Sequence, residues 1–173
     1  DLYHDADKIK KTIGYMSQKF SLYQDLNVFE NIKFYAGIYG IPNSEISEKA
    51  NQILDELGID QWKKSQINSL PIGWKQNIAF SVAIMHNPQI VFLDEPTSGV
   101  DPVTRRLFWE MIYKAAEKGT TVILSTHYLD EAENCNNVII MDKGKIVAND
   151  TPNRLKSLNN SKNINDVFIK LCK

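Results

Sequence analysis

The sequence is short of the features that mark several specialised classes of protein. It has two cysteines, Cys135 and Cys172, which are too few for a disulfide framework and have no metal-ligand spacing. No apolar run approaches the roughly 20 residues that a helix needs to cross a bilayer. Neither sign of charge prevails, since 20 basic and 21 acidic residues leave a net charge of −1. This balance gives no electrostatic reason to expect nucleic acid as a partner.

What is present is the composition of an ordinary folded domain. Hydrophobic residues make up 43% of the chain and charged residues 24%. The 173 residues amount to one domain or most of one, with enough chain to bury a core. The scarcity of cysteine fits a reducing, cytoplasmic setting. The chain starts at Asp1 within a polar stretch, and we expect it to be part of a longer sequence.

Hydrophobic patterning divides the chain into three parts. Residues 19–87 are mainly helical in pattern, with a capping box at Asn27 and Glu30. Residues 88–150 alternate strand and helix patterns, which is typical of a parallel α/β sheet. Residues 151–173 have the pattern of short C-terminal helices. We therefore predict an α/β fold with a mostly parallel sheet, an α/β core at 88–150 and a helical subdomain at 19–87.

Short apolar segments define the predicted strands. Residues 12–16 and two buried runs, 90–93 and 121–125, have strand length and composition. Farther on, residues 138–148 have the pattern of a hairpin and residues 128–134 that of a short helix. The runs at 90–93 and 121–125 are the strands that we expect in the parallel sheet.

Two adjacent carboxylates follow the strand at residues 90–93. In an open α/β sheet ligands bind beyond the carboxyl ends of the strands, so we expect Asp94 and Glu95 at the ligand edge. One carboxylate suits a hydrated Mg²⁺, which takes few carboxylates together with phosphate oxygens and water. Glu95 has the chemistry of a general base for an attacking water. For this pair taken alone, an acidic strand end without a function is an equal alternative.

Three further features lie at strand ends and turns. His127 follows the strand at 121–125, where an imidazole can hydrogen-bond a phosphate. Gln18 also ends a predicted strand, and an amide there can ligate Mg²⁺ or orient water. Ser98 and Asp101 lie in a tight turn that opens the next helix. Each alone is a weak signal, since a structural histidine, a turn or a helix cap has the same pattern.

In combination these segments resemble the nucleotide-binding domain of ABC-transporter ATPases, over essentially the whole chain. The motifs occur in the family's order: YMSQ at the Q-loop, LPIGWKQ at the signature, IVFLDEP at Walker B, SGVD at the D-loop and STH at the switch histidine. The resemblance implies a P-loop NTPase-type sheet with an inserted helical subdomain, and ATP and Mg²⁺ as cofactors. It also implies that Ser98 and Asp101 communicate across a dimer of ATP-binding domains.

The resemblance implies a role for each of the other matching residues. Asp94 would hold Mg²⁺ through water, and Glu95 would polarise the hydrolytic water. His127 would contact the γ-phosphate. Gln18 would sense Mg²⁺ and water.

The signature segment departs from the family pattern. Pro71 and Ile72 stand where serine and glycine are usual, whereas Leu70, Gly73 and Gln76 match. In the family this segment binds the ATP held by the opposite subunit. Pro71 has neither a hydroxyl nor an N–H, so at least two donors are lost, while amides from Gly73 onward remain. The subunit is therefore either a competent variant, as in drug-exporter-like ATPases, or one with a weakened site.

A second departure concerns the phosphate-binding loop. No GxxxxGK[ST] segment occurs in the 173 residues, although in the family its amides and lysine hold the β- and γ-phosphates. In the family this loop precedes the Q-loop, so we expect the loop and the strand that feeds it upstream of Asp1. We also expect the 173 residues alone to bind ATP poorly, to be inactive and to expose sheet edges.

These observations predict an ATP-binding and hydrolysing subunit of an ABC transporter, which couples Mg-ATP hydrolysis to membrane export. Its expected partners are transmembrane domains and a second ATP-binding domain, identical or different. Through the membrane domains it would lie at the cytoplasmic face of the plasma membrane. Phe20 and Tyr23 are candidate contacts to those domains, whereas the other aromatic residues of 20–39 are predicted to be core.

Two other functions stay open at this point. One is a soluble ABC-type ATPase of DNA repair or translation, which the balanced charge and the short spacing from Gln18 to Leu70 disfavour. The other is a non-catalytic partner domain with a degenerate signature. The presence of both Asp94 and Glu95 argues against that alternative.

Overall fold

The computed structural model describes residues 9, 11–18 and 22–172, so Phe20, a predicted partner contact, lies outside the described residues. The chain forms two compact units, which divide between Ser125 and Thr126. The first contains a three-stranded sheet and the longer helices, and the second contains a hairpin and short helices. The predicted core segment, residues 88–150, therefore contributes to both units.

The sheet of the first unit is parallel, as predicted. Its strands are β1 (Ile13–Met16), β2 (Ile90–Asp94) and β3 (Thr121–Ser125), in the order β1-β2-β3. The register pairs Asp94 with Ser125. Because parallel strands end at one edge of a sheet, this edge collects the last residues of the strands and those that follow β1 and β2.

Four helices complete the first unit: α1 (Val28–Ile38), α2 (Asn43–Leu57), α3 (Ile72–Ile84) and α4 (Pro102–Glu117), with 3₁₀ turns at Asp60–Trp62 and Ile67–Ser69. The predicted capping box starts α1. The side chains of Asn27 and Glu30 each accept a hydrogen bond from the backbone amide of the other residue. Gly58 ends α2 in the left-handed conformation, with a φ of 66°. Asp101 is the N-cap of α4. Local sequence therefore sets most helix boundaries in this unit.

Aliphatic side chains form the core between the helices and one face of the sheet. Ile78, Ala79, Val82 and Ala83 of α3 are all buried, as predicted. Gly14 of β1 allows α3 to approach closely, because a Cβ there would stand 2.2 Å from the Ala83 carbonyl oxygen. The tight contact fixes β1, and hence the start of the loop that contains Gln18, against α3.

The aromatic residues of α1 are not core residues, and that prediction was wrong. The buried face of the helix consists of Val28, Asn31, Ile32 and Ala36. Phe34 is 42% exposed and packs edge-to-face on Tyr23, with 4.8 Å between the ring centroids. The aromatic side chains lie off the stripe that the buried residues occupy at spacings of three and four, so they form a surface cluster.

The second unit contains the predicted hairpin, in which β4 (Val138–Asp142) pairs antiparallel with β5 (Lys145–Asp150). Two helices, α5 (Pro152–Leu158) and α6 (Ile164–Leu171), follow it. Its buried core comprises Ala132, Val138, Ile140, Leu155, Ile164 and Val167. In the part of the chain that the structure describes, no helix has the length and apolar character needed to span a membrane.

The segment at 128–134 differs from its prediction as a helix. It has helical structure only at Glu131–Asn134, as a 3₁₀ turn. The Thr126 hydroxyl accepts from the Tyr128 amide at 3.0 Å. Such a side-chain bond to the backbone competes with a regular helix start, so the chain turns before the helical residues begin.

Candidate functional site

The predicted carboxylate pair lies at two neighbouring strand ends. The Ser125 hydroxyl donates to Asp94 Oδ1 at 2.7 Å and accepts from the Glu95 amide at 3.1 Å. The Ser125 carbonyl oxygen also accepts from the Glu95 amide, at 3.2 Å. One serine therefore orients Asp94 through its side chain and Glu95 through its backbone.

Glu95 has an unusual backbone conformation. Its φ is 44°, in the left-handed region that residues other than glycine rarely adopt. Its carbonyl oxygen accepts from the Ser98 amide at 3.1 Å, so the chain reverses directly after it. Strain of this kind persists only where surrounding contacts enforce it, and it is common at functional sites.

Gln18 reaches Glu95 from the end of β1. Its Nε2 donates to Glu95 Oε2 at 2.6 Å, across 77 positions of sequence. Because a carboxylate only accepts, the amide nitrogen faces Glu95 and the amide oxygen is turned elsewhere. The fold therefore brings Gln18, Asp94 and Glu95 to the same edge of the sheet.

The donors at this edge suit Mg²⁺. Asp94 supplies one exposed carboxylate, and the Gln18 amide oxygen and the Ser125 hydroxyl add neutral oxygens. Among the described residues, no group of three or more His, Cys, Asp or Glu side chains is placed to hold a metal ion. A sparse set fits a hydrated Mg²⁺, which keeps several waters and takes one or two carboxylates together with phosphate oxygens.

A buried amide anchors the chain after Gln18. Asn31 of α1 is fully buried, and its Oδ1 accepts from the Tyr23 amide at 2.8 Å. Its Nδ2 donates to the carbonyl oxygens of Tyr23, Leu26 and Asn27, at 2.9, 3.3 and 3.1 Å. Asn31 thus ties this surface segment, with its half-exposed Tyr23, to the helical part of the first unit.

The signature segment forms the start of α3. Pro71 is the N-cap and makes no side-chain cap hydrogen bond. The amides of Trp74 and Lys75 donate to the Pro71 carbonyl oxygen, at 3.1 and 3.2 Å. These two amides are therefore already hydrogen-bonded within the helix and are not available to a phosphate. Of the amides from Gly73 onward that were expected to bind phosphate, the Gly73 amide is the one in this turn that is left. Ile72 and Gly73 hold the first two helical positions, whose amides have no intrahelical acceptor.

The first turns of α3 pack against the turn that contains Ser98. Gln76 Nε2 donates to the Ser98 carbonyl oxygen at 3.1 Å. Ile72 Cδ1 lies 3.4 Å from the position of a Cβ on Gly99. Leu70 and Gln76 are 6% and 5% exposed. The predicted signature and D-loop residues are thus in contact within one chain.

Asp101 is held as the N-cap of α4. Its Oδ1 accepts from the amides of Val103 and Thr104 at 3.0 and 3.1 Å, and its Oδ2 accepts from the Thr104 hydroxyl at 2.6 Å. The Thr104 hydroxyl and then the Thr104 amide lower the pKa of Asp101, and desolvation opposes them. Asp101 is therefore an ionised, oriented carboxylate at neutral pH.

His127 lies in the second unit, where it is exposed and its ring centroid is 4.2 Å from that of Tyr128. The preceding Thr126 donates to Glu131 Oε2 at 2.7 Å. Glu131 is 1% exposed. A buried carboxylate therefore holds the residue next to His127 in place.

Three contributing residues were not predicted: Thr104, Ser125 and Glu131. Ser125 had a usable signal, since the two predicted strands end at Asp94 and Ser125 and a parallel register places these residues side by side. Thr104 also had a local signal, since it lies three positions after the N-cap Asp101, but its contact with Gly73 exists only in the folded chain. Glu131 had no comparable signal.

The sequence profile of the ABC transporter family matches residues 1–98. The probable multidrug ABC transporter ATP-binding protein YbhF of Escherichia coli (strain K12) is 43% identical over 157 residues, which cover 91% of this chain and 27% of that protein. The linearmycin resistance ATP-binding protein LnrL of Bacillus subtilis (strain 168) is 34% identical over 83% of this chain and 47% of its own length. The chain thus spans less than half the length of either relative.

Solved structures of similar fold confirm the predicted fold class. A Clostridium perfringens protein, described as part of the ABC transporter complex cbiONQ, matches with a TM-score of 0.74 and 27% identity. The match covers 87% of this chain and 61% of that one. An ATP-binding subunit of an ABC transporter matches with a TM-score of 0.86, over 99% of this chain and 73% of that one. At 23% identity, this second likeness concerns the fold alone.

Proposed function

Because this chain belongs to the ABC transporter family, we propose that it is the ATP-binding and hydrolysing part of a transporter that couples Mg-ATP hydrolysis to export. The names of three relatives support export as the direction. They are the multidrug and linearmycin resistance proteins described above and the Nod factor export ATP-binding protein I of Cupriavidus metallidurans.

The observation that supports hydrolysis most is the hydrogen bond between Gln18 and Glu95. It holds the Glu95 carboxylate at the strand-end edge, directly after the exposed carboxylate of Asp94. A general base must be fixed within reach of the water that it activates, and the left-handed turn at Glu95 fixes it from the backbone side. A strained, doubly anchored glutamate is not expected at an acidic strand end without a function.

Each residue then has a distinct task. Asp94 binds Mg²⁺, which when bound neutralises charge on the transferred phosphoryl group. Glu95 accepts a proton from the attacking water, and Gln18 and Ser125 hold it in place. For His127, the resemblance to the family supports a contact with the γ-phosphate. The 173 residues contain no GxxxxGK[ST] segment, so phosphate ligands beyond those named here complete the site.

The proposed partners are a second ATP-binding domain and the membrane domains of the transporter, at the cytoplasmic face of the membrane. The signature segment and the D-loop face the second domain. The aromatic cluster of Tyr23, Phe34 and Tyr35 is the surface we propose for the membrane domains. Its members are in ring contact with one another, and Tyr23 and Phe34 are 50% and 42% exposed.

Substitution of the proposed base tests the function. In the full-length protein, Glu95→Gln preserves the size of the side chain but removes its basicity. We expect ATP binding to persist and hydrolysis to fall at least about 100-fold, the lower end for a general base. Phosphate release measures the rate, and a fluorescent ATP analogue measures binding.

Glu117→Gln, at the exposed end of α4, is the matched control and should keep the wild-type rate. An unchanged rate in Glu95→Gln would remove Glu95 from its role. ATP binding without hydrolysis by the wild-type protein would instead favour a non-catalytic partner domain.

That second candidate is favoured by one observation, the lack of a side-chain cap hydrogen bond at Pro71. In the full-length protein, Pro71→Ser restores a hydroxyl and an N–H where the family has them. We expect turnover to rise about fivefold, as one hydrogen bond near 1 kcal/mol would allow. Pro71→Ala restores the N–H alone and should give a smaller rise. A fall in both variants would show that the proline belongs to a working variant of the signature.

A further inference from the structure

One threonine contacts both the signature helix and the D-loop aspartate. Thr104 lies in the first turn of α4, and its hydroxyl donates to Asp101 Oδ2 at 2.6 Å. Its methyl group, Cγ2, fills the space beside Gly73 of α3. Two groups on one Cβ therefore face two different motifs.

The packing at Gly73 leaves no room for a side chain. A Cβ on Gly73 would stand 2.3 Å from Thr104 Cγ2, and 3.2 and 3.3 Å from Thr104 Cβ and Oγ1. Threonine is β-branched and has few χ1 rotamers. Rotation that moves the methyl away from Gly73 therefore also moves the hydroxyl away from Asp101. The packing of α3 against Thr104 and the hydrogen bond from Thr104 to Asp101 therefore depend on the same torsion angle, χ1 of Thr104.

Two neighbouring contacts extend this junction along α3. Gln76 donates to the Ser98 carbonyl oxygen, and Ile72 packs over Gly99. Gln76 is 5% exposed, yet its Oε1 has no hydrogen-bond partner among the residues that the structure describes. The bond to Ser98 is therefore the contact by which this buried amide ties α3 to the D-loop turn. We call these contacts, from residues 72, 73 and 76 to residues 98, 99 and 104, the α3 junction.

We infer that Thr104 is a positioning residue that couples the position of the signature helix α3 to the orientation of Asp101. The inference rests on the proposed function, in which the signature and the D-loop act on nucleotide shared with a second ATP-binding domain. When α3 packs against Thr104 as in this structure, the Thr104 hydroxyl donates to the Asp101 carboxylate. When α3 moves toward α4, Thr104 has to rotate and Asp101 loses that donor.

The first test separates the two groups of Thr104 in the full-length protein. Thr104→Val keeps the shape beside Gly73 but removes the hydroxyl. We expect kcat for ATP hydrolysis to fall about tenfold, the effect of one hydrogen bond to a charged group, while KM changes less than about twofold. Thr120→Val is the matched control, because it removes a threonine hydroxyl that donates to the Pro88 carbonyl oxygen at 3.1 Å. If both variants lose activity equally, the inference is wrong.

The second test is a double-mutant cycle across the junction. Gly73→Ala should lower kcat more than about tenfold, since the methyl group displaces Thr104. Adding Thr104→Ser removes Cγ2 and keeps the hydroxyl, and we expect it to restore kcat to within about threefold of the wild type. Gly37→Ala is the matched control, since no atom of the described residues lies within 4 Å of a Cβ on that helical glycine. Additive losses in the double variant would overturn the coupling.

The same cycle is measured in thermal unfolding, which requires no ATPase activity. We expect Gly73→Ala to lower the unfolding temperature and Thr104→Ser to restore it. Thr120→Ser should not restore it. This result would support the contact between Thr104 and Gly73. Additive unfolding temperatures would overturn it. If the wild-type protein does not hydrolyse ATP, the proposed function fails by itself, and the unfolding cycle still decides whether Thr104 links α3 to α4.

Discussion

The edge of the sheet and the α3 junction hold their residues by different physical means. At the edge, Gln18, Asp94 and Ser125 are exposed polar groups held by directional hydrogen bonds, from Gln18 to Glu95 and from Ser125 to Asp94. At the junction, Gly73 and Gln76 are buried, and their position depends on the volume of a neighbouring side chain. The first arrangement suits residues that must meet water and phosphate. The second suits segments that must move together.

This difference predicts how each region fails. A lost hydrogen bond at the edge leaves exposed groups that water can satisfy, so chemistry should suffer more than stability. A change of volume at the junction displaces a helix, because close-packed interiors adapt poorly to an added methyl group. Activity and stability measured together therefore separate the two regions.

Of three further substitutions, the largest effect is expected at the edge, in Ser125→Ala. The substitution removes the donor to Asp94 and one acceptor of the Glu95 amide. A hydrogen bond to a charged group is worth about 1.5–3 kcal/mol, so we expect hydrolysis to fall about 10- to 100-fold with little change in unfolding temperature. Ser157→Ala, whose hydroxyl donates to the Asn153 carbonyl oxygen, is the control. A large loss of stability without loss of turnover would place Ser125 among structural residues.

A smaller effect is expected at the junction, in Gln76→Leu. The change removes both the bond to Ser98 and the unsatisfied Oε1. Loss of the unsatisfied oxygen favours the variant, whereas loss of the donor to the Ser98 carbonyl oxygen disfavours it, so the two effects on stability oppose each other. We expect an unchanged unfolding temperature and a roughly fivefold loss of turnover, measured beside Gln52→Leu on the exposed face of α2. Wild-type turnover in Gln76→Leu would show that the bond to Ser98 has no part in function.

The smallest effect is expected away from both regions, at His86. Its ring stacks on Tyr39 with 3.9 Å between centroids, and Nε2 lies 3.2 Å from the Ile13 carbonyl oxygen. Burial lowers the pKa of His86, against a smaller opposing effect of the bond to Ile13. The unfolded chain therefore binds the proton more readily, so stability should fall as pH drops below about 6.5 and through the lower folded pKa.

His86→Gln keeps a donor for Ile13 and should flatten this pH dependence of the unfolding temperature. Glu48, which lines the same cleft, provides the control variant Glu48→Gln. An equally steep dependence in His86→Gln would assign the effect to other groups.

Local chemistry made much of the fold predictable. The capping box at Asn27, the glycine end of α2 at Gly58 and the aspartate cap at Asp101 depend on residues within one helical turn of each other. The strands β2 and β3 were predicted from their apolar composition.

The prediction that both β2 and β3 are buried runs was wrong, because β3 has no buried residue, Ile123 is 48% exposed, and Phe92 of β2 is 37% exposed. Composition indicates a strand but does not decide which of its faces the tertiary structure covers. Two other errors, the helix at 128–134 and the aromatic core of α1, arose where a side-chain bond or a tertiary surface outweighed the local pattern.

The sequence by itself determined which residue types stand at the ends of strands, and in which order. That was enough to predict Asp94 and Glu95 as a ligand site and to recognise the family, because motif chemistry depends on residue identity and spacing. The tertiary structure alone decided that Gln18 meets Glu95 and that Thr104 fills the space beside Gly73. Such contacts join residues far apart in sequence, and shape complementarity between them exists only after the chain has packed.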